Sequence, residues 1–279
     1  MKILVTGATG NLGSAVVEAL KSENITLKAG ARNPEKLSPG TETVRFDFND
    51  AETFAPALDG VDAVFLQAPP MDPNSPALLK PFIALAAERG IKHIVFNSAL
   101  GADANEKSPL RIIERTLMDS GVPYTITRPN FFMENFSAGF IAPMIAQASA
   151  FFLAADDAKT SFISVEDIAA VVAAAFAEGL TGKAFNLTGP RALNRTEAAA
   201  LISEAAGKTI TYNAIPEDAM LQGARDNGMP EGHVQFLAAL YQAVRNGWTE
   251  PTTPDVEQVL GRPPVSFEEF ALKNSNAWK

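Results

Sequence analysis

The 279-residue chain has no cysteine, two histidines and three tyrosines. Without cysteine it can form no disulfide, no thiolate nucleophile and no cysteine-ligated zinc, and a reducing compartment is permitted. His93 and His233 lie far apart and in no HExxH-like spacing, so no metal site is expected. Basic residues are also scarce: 23 Lys and Arg face 32 Asp and Glu, for a net charge of -9. That sign excludes a general binder of nucleic acid or acidic membranes, and any phosphate must be met by a locally placed cation. Long apolar runs are missing as well. Met1–Val5 is too short for a signal-peptide core, and a cytoplasmic protein is expected. The stretch from Ala138 to Ala155 is free of charge, but alanine dominates it and Gly139, Pro143, Gln147 and Ser149 interrupt it. Burial against a ligand or another lobe suits it better than a membrane span.

What is present is a large apolar fraction, 47% of residues, enough for one sizeable α/β core with a smaller lobe. Short apolar runs alternate with helical patterns in the first half, the signature of repeated βαβ units around a parallel sheet. Strands are expected near 2–6, 25–31, 43–47, 62–67, 91–97 and 123–127, with helices near 11–22, 50–58, 75–89 and 107–120. Ile3-Leu4-Val5, Ala63-Val64-Phe65-Leu66 and Ile94-Val95-Phe96 are unbroken apolar runs, as strands covered on both faces should be. A helix near 165–178 and a strand near 184–188 return to the sheet, and from Gly189 onward helices and turns are expected. The expected division is a Rossmann-type, doubly wound core over 1–135, rejoined by 160–189, with a mostly helical lobe from 136–159 and 190–279.

The chemistry-bearing motif follows the first strand: Gly7-Ala8-Thr9-Gly10-Asn11-Leu12-Gly13 opens a helix that continues through Val16, Val17 and Leu20. The first glycine permits the sharp turn, the second lets backbone approach a pyrophosphate, and the third allows helix and sheet to pack closely. N–H groups at the helix start, with the positive end of its dipole, then hold phosphate. The bland alternative is an ordinary strand-to-helix turn. Where an NAD site carries an acid for the ribose 2′-hydroxyl, this chain has Gly30-Ala31-Arg32. A guanidinium there suits a 2′-phosphate, with Lys36 able to add charge, so NADP(H) is favoured over NAD(H). Asp47 and Phe48 are placed for the adenine, although Asp47 is equally a turn cap.

These residues, together with Tyr124-Thr125-Ile126-Thr127-Arg128-Pro129-Asn130-Phe131-Phe132-Met133-Glu134-Asn135, resemble the NmrA-like group of atypical short-chain dehydrogenases. Phe185-Asn186-Leu187-Thr188-Gly189-Pro190 and Gly261-Arg262-Pro263-Pro264 extend the similarity over nearly the whole chain. Within the group, the likeness is to NAD(P)H-dependent quinone and triphenylmethane dye reductases. The resemblance implies a substrate cleft between core and lobe, with Ala68, Pro69, Pro70, Asn97 and Ser98 flanking the cofactor. Phe131, Phe132, Met133 and Asn135 are candidates for a substrate wall, with Phe136 and Phe140 nearby, and core packing is the competing reading.

The Tyr-x-x-x-Lys pair that typical short-chain dehydrogenases use as general acid is missing: Arg128, Pro216 and Arg245 follow the three tyrosines by four positions. Two functions survive that loss. One is hydride transfer to a small delocalised acceptor, such as a quinone or dye, that needs no placed acid. The other is an NADP(H)-binding sensor with little catalysis. The expected partner is a small molecule, with no nucleic acid and no membrane, and a homodimer stays open.

Overall fold

A computed structural model describes residues 1–21, 25–37 and 41–279, with the Lys36 side chain outside the described set. In chain order the elements begin with β1 (Lys2–Thr6), α1 (Asn11–Leu20), β2 (Thr26–Ala31), β3 (Glu42–Arg45), α2 (Phe54–Leu58), β4 (Ala63–Gln67), α3 (Ser75–Glu88), β5 (His93–Asn97), α4 (Pro109–Asp119) and β6 (Tyr124–Pro129). They continue as α5 (Ala142–Ala148), β7 (Ala150–Leu153), α6 (Val165–Glu178), β8 (Lys183–Leu187), α7 (Arg195–Ala206), β9 (Thr211–Ala214), α8 (Glu217–Asp226), α9 (Glu231–Arg245), α10 (Asp255–Leu260) and α11 (Phe267–Lys273). Ser22, expected to close the first helix, lies outside the described residues.

Seven strands form one sheet in the order β3-β2-β1-β4-β5-β6-β8, and β1 through β6 pair in parallel. The order reverses direction between β1 and β4, the topological switch point where open α/β sheets bind ligands beyond the strand carboxyl ends. Side chains at Ile3–Val5, Ala63–Leu66 and Ile94–Phe96 are fully buried, as the unbroken apolar runs required. Phe46, Phe54 and Phe82 meet edge-on or tilted, with centroids 5.1–5.8 Å apart, under the β3 side of the sheet.

The chain divides into two compact units: Met1–Pro70, Asn74–Pro129 and Val165–Asn186 form the first, and Met71–Pro73, Asn130–Ser164 and Leu187–Lys279 the second. The edges of the first unit lie at Pro129, Val165 and Asn186, where 135, 160 and 189 were expected. Hydrogen bonds give the reason. Met133 N donates to Ile163 O at 2.9 Å and Ile163 N to Phe131 O at 2.9 Å, so the two segments pair with each other. Buried Asn130 fastens them further, donating from Nδ2 to Ser161 Oγ and Thr249 O, both at 2.8 Å.

The second unit has its own apolar core, in which Phe136, Phe151, Phe267, Phe270 and Trp278 pack and Trp278 Nε1 donates to Phe136 O at 2.7 Å. It also contains a two-stranded parallel sheet of β7 and β9, where only helices and turns were expected after Gly189. The charge-free stretch from Ala138 becomes α5, a left-handed residue at Ser149, and β7. No helix among the described residues is long and apolar enough to cross a membrane.

Candidate functional site

The three glycines of the turn after β1 differ in what constrains them. Gly7 has φ +63°, and a Cβ there would fall 2.1 Å from Gln67 Nε2. A Cβ on Gly13 would fall 2.1 Å from Gly7 O, inside the α1–β1 contact. Both are demanded by the fold. A Cβ on Gly10 would meet nothing closer than Gly7 O at 3.4 Å, and Thr9, Gly10 and Asn11 are all exposed. Gly10 is also the N-cap of α1 and offers no side-chain cap, so the first-turn N–H groups are left without an intrahelical partner. An open cradle whose middle position lacks a side chain, at the N-terminus of a ten-residue helix, suits a pyrophosphate in size and charge. Leu12 is buried, so that position can serve a phosphate through its backbone alone.

Gln67, at the end of β4, was not singled out from the sequence, yet it braces this turn. Its Nε2 donates to Thr6 O at 3.4 Å and to Gly7 O at 3.3 Å. Its backbone N donates to Thr6 Oγ1 at 3.1 Å, and that hydroxyl in turn donates to Phe65 O. The signal was weak, because one glutamine ending an apolar strand looks like any change from core to loop.

Arg32 follows β2, is exposed and pairs with no acid among the described residues. Lys36 ends a short 3-10 turn over Pro34–Lys36, and its side chain is outside the described set. Asp47 Oδ1 accepts from Asn49 N at 3.0 Å, an Asx turn of the kind a capping role predicts. Phe48 packs edge-on against Phe46 at 4.8 Å and stays half-buried. At the ends of β4 and β5, Gln67 and Asn97 are in register, and Asn97 in turn with Thr127 of β6. Ala68 and Pro69 are half-buried and Pro70 is exposed on the loop beyond.

Ser98 is buried, and its hydroxyl donates to Glu114 Oε1 at 2.7 Å. The same carboxylate accepts from Arg128 Nε and Nη2 at 2.9 and 2.8 Å and from Arg111 Nη1 at 2.9 Å. Burial opposes the Glu114 charge, but the bonds from Arg128, Ser98 and Arg111 outweigh it and hold the carboxyl below the usual carboxylate range. This network ties the loop after β5 to α4 and β6. Glu114 was not singled out from the sequence, since its partners are remote in the chain.

None of the three tyrosines is arranged as a proton donor. Tyr241 is buried, and burial pushes its phenol well above the ordinary range. Tyr212 donates to Leu153 O at 3.0 Å, and Tyr124 begins β6, at the end of the strand remote from the carboxyl edge. His93 is buried within the first unit, with Nε2 2.8 Å from Thr125 Oγ1, in keeping with a structural role. No cluster of metal-ligating side chains occurs among the described residues.

In the second unit, Phe131, Phe132 and Asn135 are partly exposed, and Phe131 meets Tyr241 edge-on at 6.3 Å. Met133 corrects the expectation of a four-residue wall: it is 1% exposed and belongs to the core of that unit. Phe132 bridges to Ile163, and the chain then enters a 3-10 turn over Met133–Asn135 that packs the Met133 side chain into the core. Phe136 is likewise core, whereas Phe140 is exposed.

Fold and turn together define a Rossmann-type protein, and its named relatives put it among NAD(P)H-dependent reductases. The chain belongs to the NmrA-like family, whose profile matches residues 1–271. It is 34% identical to prestalk A differentiation protein A of Dictyostelium discoideum, over 97% of this chain and 91% of that one. It is 32% identical to an NAD(P)H azoreductase of Xenophilus azovorans, over 99% of each chain. Among solved structures, an NADPH-dependent quinone oxidoreductase of Escherichia coli complexed with NADPH superposes with a TM-score of 0.83 at 28% identity, covering 97% of this chain and 98% of that one.

Proposed function

We propose that the chain binds NADP(H) at the Gly7–Gly13 turn and reduces a small, delocalised acceptor such as a quinone or dye without a dedicated protein acid. The observation that carries this reading is that, among the described residues, Tyr241 is buried, Tyr212 donates its hydrogen bond to backbone and Ser98 donates its own to Glu114. A ketone needs a proton on oxygen as hydride arrives, and the lack of a placed acid costs roughly 10²–10⁴ in rate. A quinone or an extended dye spreads the incoming charge over its own π-system and takes its proton from solvent.

When bound, the reduced nicotinamide supplies the hydride. The chain's residues bind and orient it. Backbone at Gly10 and Asn11 meets the pyrophosphate, Arg32 meets the 2′-phosphate, Asp47 and Phe48 border the adenine, and the Ala68–Pro70 and Asn97–Ser98 loops flank the nicotinamide. Lys36 adds charge near the 2′-phosphate in this reading. Phe131, Phe132 and Asn135 contact the acceptor. The reduction of quinone and azo compounds by relatives with these names supports the same assignment.

Rapid mixing of the NADPH-loaded protein with quinones, dyes and simple ketones, followed at the nicotinamide absorbance, tests the proposal. Transfer to the delocalised acceptors and little to the ketones is expected. A folded, loaded protein that transfers hydride to none of them is instead a sensor.

A further inference from the structure

Among the described residues, four cationic side chains are buried, and three of them stand beside an acid. Arg111 and Arg128 share Glu114, and Lys28 Nζ lies 3.7 Å from Glu42 Oε1. The fourth, Arg195, is different. It is 1% exposed at the start of α7, and its Nη1 donates to Ala158 O at 3.0 Å and Thr160 Oγ1 at 2.9 Å. No carboxylate among the described residues pairs with it, and the titratable groups that feel its charge are Tyr241 and Tyr212. Its guanidinium lies over two rings instead, 5.3 Å from the Phe162 centroid and 5.9 Å from that of Phe131.

A guanidinium keeps its charge in any protein interior, so this one cannot escape burial by losing a proton. Cation–π contacts and two neutral hydrogen bonds offset only part of the cost of desolvating an unpaired charge. The helix dipole adds to the cost, because a cation at an N-terminus faces the positive end. The result is uncompensated positive potential in a low-dielectric setting directly behind Phe131, whose ring is partly exposed.

We propose that Arg195 sets the charge preference of the aromatic segment at Phe131, so that flat acceptors that carry negative charge, or acquire it on hydride uptake, are selected over cationic ones. This rests on the reading above that Phe131 contacts the acceptor. In the transfer itself a quinone takes up one hydride, two electrons with one proton, and becomes the hydroquinone monoanion, while the dihydronicotinamide is oxidised to the nicotinamide cation. Solvent later supplies the second proton. The developing anion is what the field behind Phe131 stabilises. Arg195 acts through Phe131 and is a positioning residue for charge. The net charge of -9 would by itself favour a cationic ligand, so a preference for the anion needs a local cause.

The test compares 1,4-naphthoquinone-2-sulfonate, uncharged 1,4-naphthoquinone and a cationic triarylmethane dye, with the full-length wild type, Arg195→Met and Arg195→Lys. Equilibrium binding is measured by calorimetry and kcat/KM at the nicotinamide absorbance. A charge roughly 8–10 Å from a stacked ligand at an intermediate dielectric gives about a tenfold preference for the sulfonate over its uncharged parent in wild type. Arg195→Met should erase that ratio and Arg195→Lys keep most of it. A purely structural Arg195 would instead lower all three probes together, with the ratio intact, and that result overturns the proposal. So does a wild type that binds the cationic dye best, a comparison that needs no variant to fold. If the charge ratio holds in binding while no probe is reduced, the reductase reading falls and the role of Arg195 stands. Turnover without a charge ratio keeps the reductase reading and removes the role of Arg195.

Discussion

Gly10 is the one glycine of the turn that the fold itself does not require, since a side chain there meets only Gly7 O at 3.4 Å. Gly10→Val is therefore expected to melt at close to the wild-type temperature while losing NADPH binding, because the added side chain occupies the space proposed for pyrophosphate. A folded variant that titrates normally with NADPH would place the cofactor elsewhere. Arg32 makes a complementary case. It is exposed and pairs with no described acid, so replacing it leaves no partner stranded. Loss of one charge-assisted contact predicts about a 10- to 100-fold weaker affinity of Arg32→Ala for NADPH, with NADH much less affected. Fluorescence titration of both cofactors checks this, and equal wild-type affinities for the two would refute the preference. Both residues stand out in the sequence because the roles proposed for them depend on local backbone and local charge. Gln67, Glu114 and Arg195 do not, because each is defined by partners brought to it by other segments.

At the scale of elements, the stretch Phe131–Met133 shows how pairing divides neighbours into different roles. Phe132 bridges to Ile163 and stays partly exposed, while Met133 opens the 3-10 turn that follows and lies in the core. Met133→Ala should lower unfolding free energy by about 2–5 kcal/mol, the usual cost of a cavity at a fully buried site. Phe132→Ala should cost much less stability and instead change acceptor KM with NADPH affinity preserved. Urea unfolding alongside steady-state kinetics separates the two, and a Met133→Ala protein of normal stability with altered acceptor kinetics would restore the four-residue wall. The strands of the first unit were readable as unbroken apolar runs. β7 was not, since four apolar residues after a short helix carry no period of their own, and their partner β9 lies far along the chain.

For the whole molecule, acid stability is governed in part by His93. Burial lowers its pKa from the ordinary 6.5 to about 4, so the folded state keeps the ring neutral where the unfolded chain takes up a proton. Below pH 6.5 the unfolded state binds the extra proton, and stability falls as pH drops from 6.5 towards 4. The linkage predicts a loss on the order of 2 kcal/mol between about pH 7 and pH 5 from this group alone. His93→Gln retains a donor for Thr125 and should flatten that part of the profile in urea titrations. An unchanged slope in the variant would assign the acid sensitivity to other groups.

By itself the sequence determined the parallel sheet, the glycine turn, the lack of cysteine and the lack of a Tyr-x-x-x-Lys motif, because each is written in neighbouring residues or in composition. The tertiary structure decided which aromatic residues are surface and which are core. It also decided which serine and tyrosine protons are already committed, and which buried arginine has no acid beside it. Those properties depend on what packs against a side chain, and burial and pairing are set by segments distant in the chain.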